Sequence, residues 1–267
     1  MNDAALARFG AEYARHREAE GRNHAGDELL SLPYLASGPL ARQWAVRARS
    51  FDAFMANVLY PHSVDLGRQL RILDLGAGNG WLSYRVARQG HRAVALDIRG
   101  DTVDGLGAAA AFVECVPGRI ETIVASFDEI PLCPSAIDIA VFNASLHYAT
   151  DLAKVLHEAA RVLRPGGKIA ILDSPFYRRE ADGAAMVAEK KASAARCFGA
   201  RAEALMGMPF IEYLTPERLG EASGPVGLRW RRHRVLYPLW YELRPVIAWI
   251  GGRRAPSRFD LWVGERR

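Results

Sequence analysis

The stretch Arg71–Gly80, RILDLGAGNG, decides how the rest of the 267 residues are read. Ile72, Leu73 and Leu75 form a short apolar run of the kind that makes a strand buried on both faces. Gly76, Gly78 and Gly80 follow at alternate positions, and Trp81 to Gln89 carries a helical pattern that stops at Gly90, a C-cap residue. Strand, glycine turn and helix together bring a ligand against backbone N–H groups at a helix N-terminus. Glycine suits the turn because it adopts positive φ and leaves no Cβ between backbone and ligand.

Downstream, the chain alternates. Arg92 to Asp97 predicts a second strand ending in an acid, and Asp101 caps a helix running to about Phe112, with Asp104 at its third position. Ile120 to Ala125, Ile137 to Phe142 and Lys168 to Leu172 read as further strands. Before the last of these, Thr150 or Asp151 caps a helix whose Leu152, Val155, Leu156, Ala159, Val162 and Leu163 recur at helical spacing. Strands alternating with helices imply right-handed crossovers and a doubly wound α/β fold with a parallel sheet.

Upstream, Ala4 to Glu20 is helix-prone and Arg42 to Leu59 is amphipathic, with Pro33 and Pro39 breaking the chain between them. Residues 1–66 are read as an N-terminal helical lid, the alternative being helices that cover one sheet edge. Residues 67–267 form the main domain. Within it, Arg179 to Met206 is Ala-rich and helical and Thr215-Pro216-Glu217 starts a short helix, so 178–225 reads as a helical cap insertion. Leu228 to Leu236 and Arg258 to Val263 are β-like. Between them, Pro238 to Gly252 is aromatic and apolar, followed by Arg253 and Arg254. The preferred reading packs this stretch as a helix between the last two strands; peripheral contact with a membrane surface is the second.

Composition excludes several classes. No run of 18 apolar residues exists, so no transmembrane helix is expected, and the charged N-terminus has no signal-peptide core. Cys115, Cys133 and Cys197 are isolated and odd in number, which points to reduced thiols and a cytoplasmic location. The histidines are scattered, and no metal is expected. The net charge of +5 carries little partner information, because an Arg- and Ala-rich chain often reflects a biased genome; binding nucleic acid wants a clustered basic face with interleaved aromatics, and nucleic acid is not the expected partner.

In an open α/β sheet the ligand lies outside the carboxyl ends of the strands. Asp97 can accept from both hydroxyls of a ribose. Ser126-Phe127-Asp128 places an acid beside an apolar wall, suited to an exocyclic amine. Asn143 to Tyr148 and Asp173 to Tyr177 follow the next two strands. A dinucleotide site wants G-x-G-x-x-G, and Trp81 occupies the third glycine position, which disfavours an NAD-dependent oxidoreductase.

LDLGAGNG, Asp97, Ser126-Phe127-Asp128, IDIAVFNASLHY (137–148) and EAARVLRPGGKIAILD (158–173) together resemble class I S-adenosylmethionine-dependent methyltransferases. They are most similar to the branch of ubiquinone/menaquinone C-methyltransferases and small-molecule methyltransferases, over about residues 66–175. The resemblance implies a Rossmann-like seven-stranded sheet, mostly parallel with the last strand antiparallel. It implies S-adenosyl-L-methionine as cofactor and S-adenosyl-L-homocysteine as product. Asp74, Gly76, Ala77, Gly78 and Gly80 would hold the methionine part and Asp97 the ribose. Ile98, Phe127 and Asp128 would hold the adenine, and Asn143 would lie beside the sulfonium. The implied acceptor is a small molecule methylated at oxygen or carbon. The N-P-P-Y type motif used on nucleic-acid amines is absent. His147 is the expected general base, because an unperturbed imidazole titrates near working pH, and Tyr148 is the second candidate. Methylation of RNA or protein, and a non-catalytic cofactor-binding partner protein, are the alternatives. The oligomeric state is not legible.

Overall fold

The computed structural model describes residues 3–22 and 24–266. Helices α1 (Asp3–Ala19), α2 (Gly26–Ser31) and α3 (Ala41–Phe54) come first, and α3 continues through a π-helical turn, Met55–Leu59, into α4 (Tyr60–Leu66). Pro61 sits just after the π turn, where its missing N–H cannot continue the α ladder. Then follow β1 (Arg71–Leu75), α5 (Trp81–Arg88), β2 (Arg92–Asp97), α6 (Ala110–Cys115), β3 (Ile120–Val124), β4 (Ile137–Asn143), α7 (Leu152–Val162) and β5 (Leu163–Leu172). Next come α8 (Glu180–Phe198), α9 (Ala202–Met206) and α10 (Pro216–Ser223). The chain closes with β6 (Leu228–His233), α11 (Leu239–Glu242), α12 (Arg244–Ile250) and β7 (Leu261–Arg266).

The strands form one seven-stranded sheet in the order β3-β2-β1-β4-β5-β7-β6. β1 to β5 pair in parallel, and β7 runs antiparallel to both β5 and β6, so the last strand alone is reversed. The sheet reverses its winding between β1 and β4, which makes the carboxyl ends of those two strands the switch point. Ile72, Leu73 and Leu75 of β1 are all apolar because alternate residues serve both layers. Ile72 joins a cluster with Trp44, Phe51 and Phe54 of α3 and Trp81 of α5; Leu73 and Leu75 join one with Val155 and Leu156 of α7. Asp151 caps α7 by accepting from Lys154 N at 3.0 Å.

Two expectations need correction. The helix predicted from Asp101 to Phe112 is broken: residues 101–105 turn, 106–109 are 3₁₀, and only α6 is α-helical. Gly105 and Gly107 are the reason. Each lies so close to the backbone around Asp101 that a Cβ would meet carbonyl oxygens at 2.8–2.9 Å, and Asp101 Oδ1 caps a tight turn, accepting from the N–H groups of Val103 and Asp104. The second concerns Pro238–Gly252, which does not pack between the last two strands. β6 and β7 hydrogen-bond directly to one another, so the segment is left outside as α11 and α12, with only Tyr241 buried.

Candidate active site

A cavity of about 360 Å³ opens at the carboxyl ends of β1, β2, β4 and β5. It is built first by the glycine turn. Gly76, Gly78 and Gly80 all adopt positive φ. A Cβ at Gly76 would collide with that of Ser145, whose hydroxyl donates to Leu75 O at 2.5 Å and ties the end of β4 to the end of β1. Four of the loop's N–H groups are spent within the protein. Gly76 and Ala77 donate to Leu96 O, Gly78 to Asp97 Oδ2, and Gly80 to Ala77 O. What it offers a ligand at Gly76 and Gly78 is a surface without side chains, and a pyrophosphate would find the N–H donors of Gly76, Ala77, Gly78 and Gly80 already taken.

Asp97 closes β2. Its carboxylate accepts from Gly78 N at 2.8 Å and Arg99 N at 2.9 Å, which fixes both oxygens at the cavity wall. Burial raises its pKa, and those two N–H groups oppose the rise. Ile98, Phe127 and Asp128 line the same side. Phe127 meets Phe142 edge to face with centroids 5.9 Å apart. Asp128 is hydrogen-bonded by the Ser126 hydroxyl and has Lys154 Nζ at 3.9 Å. Asn143, at the end of β4, faces the cavity with a buried Oδ1 that has no partner among the described residues.

Two residues expected in the site lie outside the cavity wall. Asp74 points to the α5 side of the sheet, where it accepts from Ser83 Oγ at 2.9 Å; burial pushes it up to about 7. Gly80 packs against the 3₁₀ turn after β2, where a Cβ would lie 3.1 Å from that of Ala109. Gly76, Ala77, Gly78, Asp97, Ile98, Phe127, Asp128, Asn143, His147 and Tyr148 are brought together.

The ends of β4 and β5 build the other side. The expected reason for His147 as a base does not survive: burial, with Lys190 and Arg47 adding to it, drives the imidazole down to about 3, so it is neutral at working pH and a weak proton acceptor. The Tyr148 hydroxyl is 3.2 Å from that of Tyr13, and burial raises its pKa well above the usual phenol value, so it stays protonated. Asp173, which the sequence pattern placed after β5 without a role, is the better-equipped group. It is buried, sits at φ 51°, accepts from Ser50 Oγ at 2.5 Å through Oδ1, and has an Oδ2 with no partner among the described residues. Burial raises its pKa, opposed by Arg47 and Ser50. Arg47 of α3 and Phe259 also line the cavity, as do Phe9, Tyr13 and Arg17 of α1, Arg17 reaching to Asp104 after β2. No local motif marks these, because their place depends on how the termini fold back over the sheet.

Residues 73–171 match the family model described as a methyltransferase domain. An uncharacterized methyltransferase of Mycobacterium bovis is 36% identical over 102 residues, covering 38% of this chain and 39% of the relative. A ubiquinone/menaquinone biosynthesis C-methyltransferase of Rhizobium leguminosarum is 31% identical over 107 residues (39% and 41%). A tRNA 5-carboxymethoxyuridine methyltransferase of Escherichia coli is 30% identical over 119 residues (41% and 41%). The chain thus spans about two-fifths of the length of the curated relatives it matches. Among solved structures, a SAM-dependent methyltransferase from Aquifex aeolicus superposes with a TM-score of 0.50 at 17% identity, over 88% of this chain and 96% of its own. The YcgJ protein of Bacillus subtilis gives 0.54 at 14% identity, over 78% and 99%. At such identities the likeness speaks for the fold alone. The centre of the molecule, residues 73–171, is thus similar in sequence to a methyltransferase domain, and it is carried on a Rossmann-like sheet.

Proposed function

We propose that the protein transfers a methyl group from S-adenosylmethionine to a small-molecule oxygen or carbon acceptor. One observation carries this reading: a single cavity has a nucleoside-shaped side, with Asp97, Ile98, Phe127 and Asp128, and a side with a buried carboxylate, Asp173. The fit to the cofactor rests on the fixed Asp97 oxygens, the side-chain-free surface at Gly76 and Gly78, and the partnerless Asn143 Oδ1 between the two sides. Bound there, S-adenosylmethionine would supply an electrophilic methyl group on a good leaving group.

The protein's part is then positioning and proton removal. Holding an acceptor in attack geometry is worth roughly 7–11 kcal/mol. Asp173 Oδ2 is the place for the acceptor's proton, and a positioned base contributes about 10²–10⁴-fold. His147 and Tyr148 serve as neutral hydrogen-bonding groups. The roof formed by Phe9, Tyr13 and Arg17 favours a small acceptor over a folded RNA, and α1 acts as the lid through which it enters.

Calorimetry with S-adenosylhomocysteine tests the donor. Binding is expected, and Asp97→Ala weakens it at least about tenfold, roughly 1.4 kcal/mol, with thermal unfolding checking that the fold is kept. Binding of NAD in place of S-adenosylhomocysteine overturns the reading.

A further inference from the structure

Eight large apolar side chains are exposed on consecutive turns between β6 and β7: Leu236, Leu239, Trp240, Leu243, Val246, Ile247, Trp249 and Ile250. Trp249 is 81% exposed and Ile250 74%. Soluble proteins leave single apolar residues in water routinely, but a contiguous patch of this kind marks a contact surface. Its surroundings are cationic. From Arg234 to Arg258 the chain carries Arg234, Arg244, Arg253, Arg254 and Arg258 against one acid, Glu242. Three guanidinium groups around the patch, those of Arg42, Arg244 and Arg253, have no carboxylate within ion-pair distance among the described residues; that of Arg42 lies 5.5 Å over the Trp240 ring.

We propose that α11 and α12 dock the protein on the surface of an anionic lipid bilayer, with Trp249 and Ile250 entering the interface and the arginines meeting lipid headgroups. Two features select this occupant. Tryptophan beside arginine that has no carboxylate partner is the pairing that suits a boundary with hydrocarbon on one side and anionic headgroups on the other. A second copy fits worse, because a two-fold contact sets the same patch against itself and brings the unpaired arginines of both copies together. No helix among the described residues is long and apolar enough to cross a membrane, so the contact is peripheral.

The topology gives the contact a direction. β6 runs parallel to β1, so the excursion from His233 to Leu261 leaves and rejoins the sheet at its carboxyl edge, where the cavity opens. Its base is shared with the cavity: Phe259 lines it, and the Tyr237 hydroxyl lies 2.9 Å from Ser50 Oγ, the group that holds Asp173. A docked molecule would turn this rim of the cavity to the lipid.

Co-sedimentation of the full chain with phosphatidylcholine vesicles, and with vesicles carrying about one third phosphatidylglycerol, tests the proposal. The protein is expected to pellet with the anionic vesicles, less so at high salt. A doubly substituted chain, Trp249→Ser with Ile250→Ser, is expected to lose at least about tenfold in affinity with unchanged thermal unfolding, since both side chains are exposed. Arg253→Glu should weaken binding to anionic vesicles alone. Absence of binding to either vesicle overturns the proposal, as does equal binding to both. A concentration-dependent dimer in sedimentation velocity that the double variant abolishes, without vesicle binding, assigns the patch to a second copy instead.

Discussion

Asp173 and His147 show how burial sorts two titratable groups in one cavity. Both lose solvent, and desolvation disfavours whichever form is charged, so the carboxylic acid moves up and the imidazole moves down. The backbone at Asp173 is held at φ 51°, in the left-handed region where a side chain costs on the order of 1–3 kcal/mol, and Ala144 after β4 is held at 55°. Two strand ends strained at one cavity are where a functional constraint is expected. The pH profile should separate the two groups. A base with a raised pKa loses its ionised form sooner as pH falls, so turnover should drop through a limb above the usual carboxylate value of about 3.9. Asp173→Asn should lower kcat about 10²-fold, remove that limb and leave S-adenosylhomocysteine affinity unchanged. His147→Asn should leave the shape of the profile intact, because the imidazole is already neutral. A limb near pH 6.5 that disappears with His147 restores it as the base. The position of Asp173 after β5 was legible from the strand-end rule. Its superiority over His147 was not, because burial depends on Ser50 and Tyr237 arriving from opposite ends of the chain.

Strand ends opposite the cavity are joined by an ionic cluster. Asp138 of β4 is 1% exposed and accepts from Arg68 Nη2 at 2.6 Å, Arg71 N at 2.8 Å and Arg164 Nη1 at 2.9 Å. It thereby ties the residues entering β1 and β5 to β4. Burial works against its ionisation, yet the two guanidinium groups and the Arg71 N–H outweigh it and hold the carboxyl at about 2. Its folded value lies below the unfolded one, so the stabilisation is present above about pH 3.9 and is lost as pH falls towards 2. Both arginines are well exposed, which screens the pair, and Asp138→Asn should cost on the order of 1–2 kcal/mol at pH 7. Urea unfolding should show this deficit shrinking below about pH 3; a deficit independent of pH would assign the effect to packing. β2 lies where the sequence places it, Arg92 to Asp97, because its buried stretch, Ala93 to Leu96, is uninterruptedly apolar and its closing acid stands out. The helix after it was over-read, because an N-cap acid and alanines suit a helix and a tight turn alike until the backbone crowding at Gly105 and Gly107 is seen. The exposed faces of α11 and α12 were misjudged for a related reason: apolar composition predicts burial, and only the direct pairing of β6 with β7 shows there is no room for them.

At the scale of the whole molecule, the strand ends of the sheet build the cavity and α1 lies along its wall with Phe9, Tyr13 and Arg17. Among the described residues, α1 meets the domain through Arg17 Nε to Asp104 Oδ2 at 2.5 Å, Tyr13 to Tyr148 at 3.2 Å between hydroxyls, Arg201 to Glu12 at 2.7 Å, and aromatic contacts of Phe9 with Phe210 and Tyr148 and of His16 with Phe198; Phe9 alone of residues 8–19 is a buried apolar side chain. The two tyrosines and Arg17 line the cavity, so its roof is held by the same groups that would contact a ligand. By contrast, α3 buries Trp44, Val46, Phe51 and Phe54 in the core, and the N-terminal segment therefore divides into an anchored helix and a covering one. Few buried apolar contacts mean a low free energy of local opening. The Arg17–Asp104 pair is the contact to break, since both side chains are largely enclosed and Arg17's other acidic neighbour, Glu20 at 3.6 Å, follows α1 in the chain and does not tie it to the sheet. Asp104→Asn should therefore raise the hydrogen-exchange rate of amides in residues 8–19 at least about tenfold, a loss of roughly 1.4 kcal/mol of local stability, while β1 and β4 keep theirs. Saturating S-adenosylhomocysteine should restore part of that protection if α1 closes on the cofactor's side of the cavity. Faster exchange spread equally over α1 and the sheet would show instead that α1 is an integral part of the core and that ligands enter by another route.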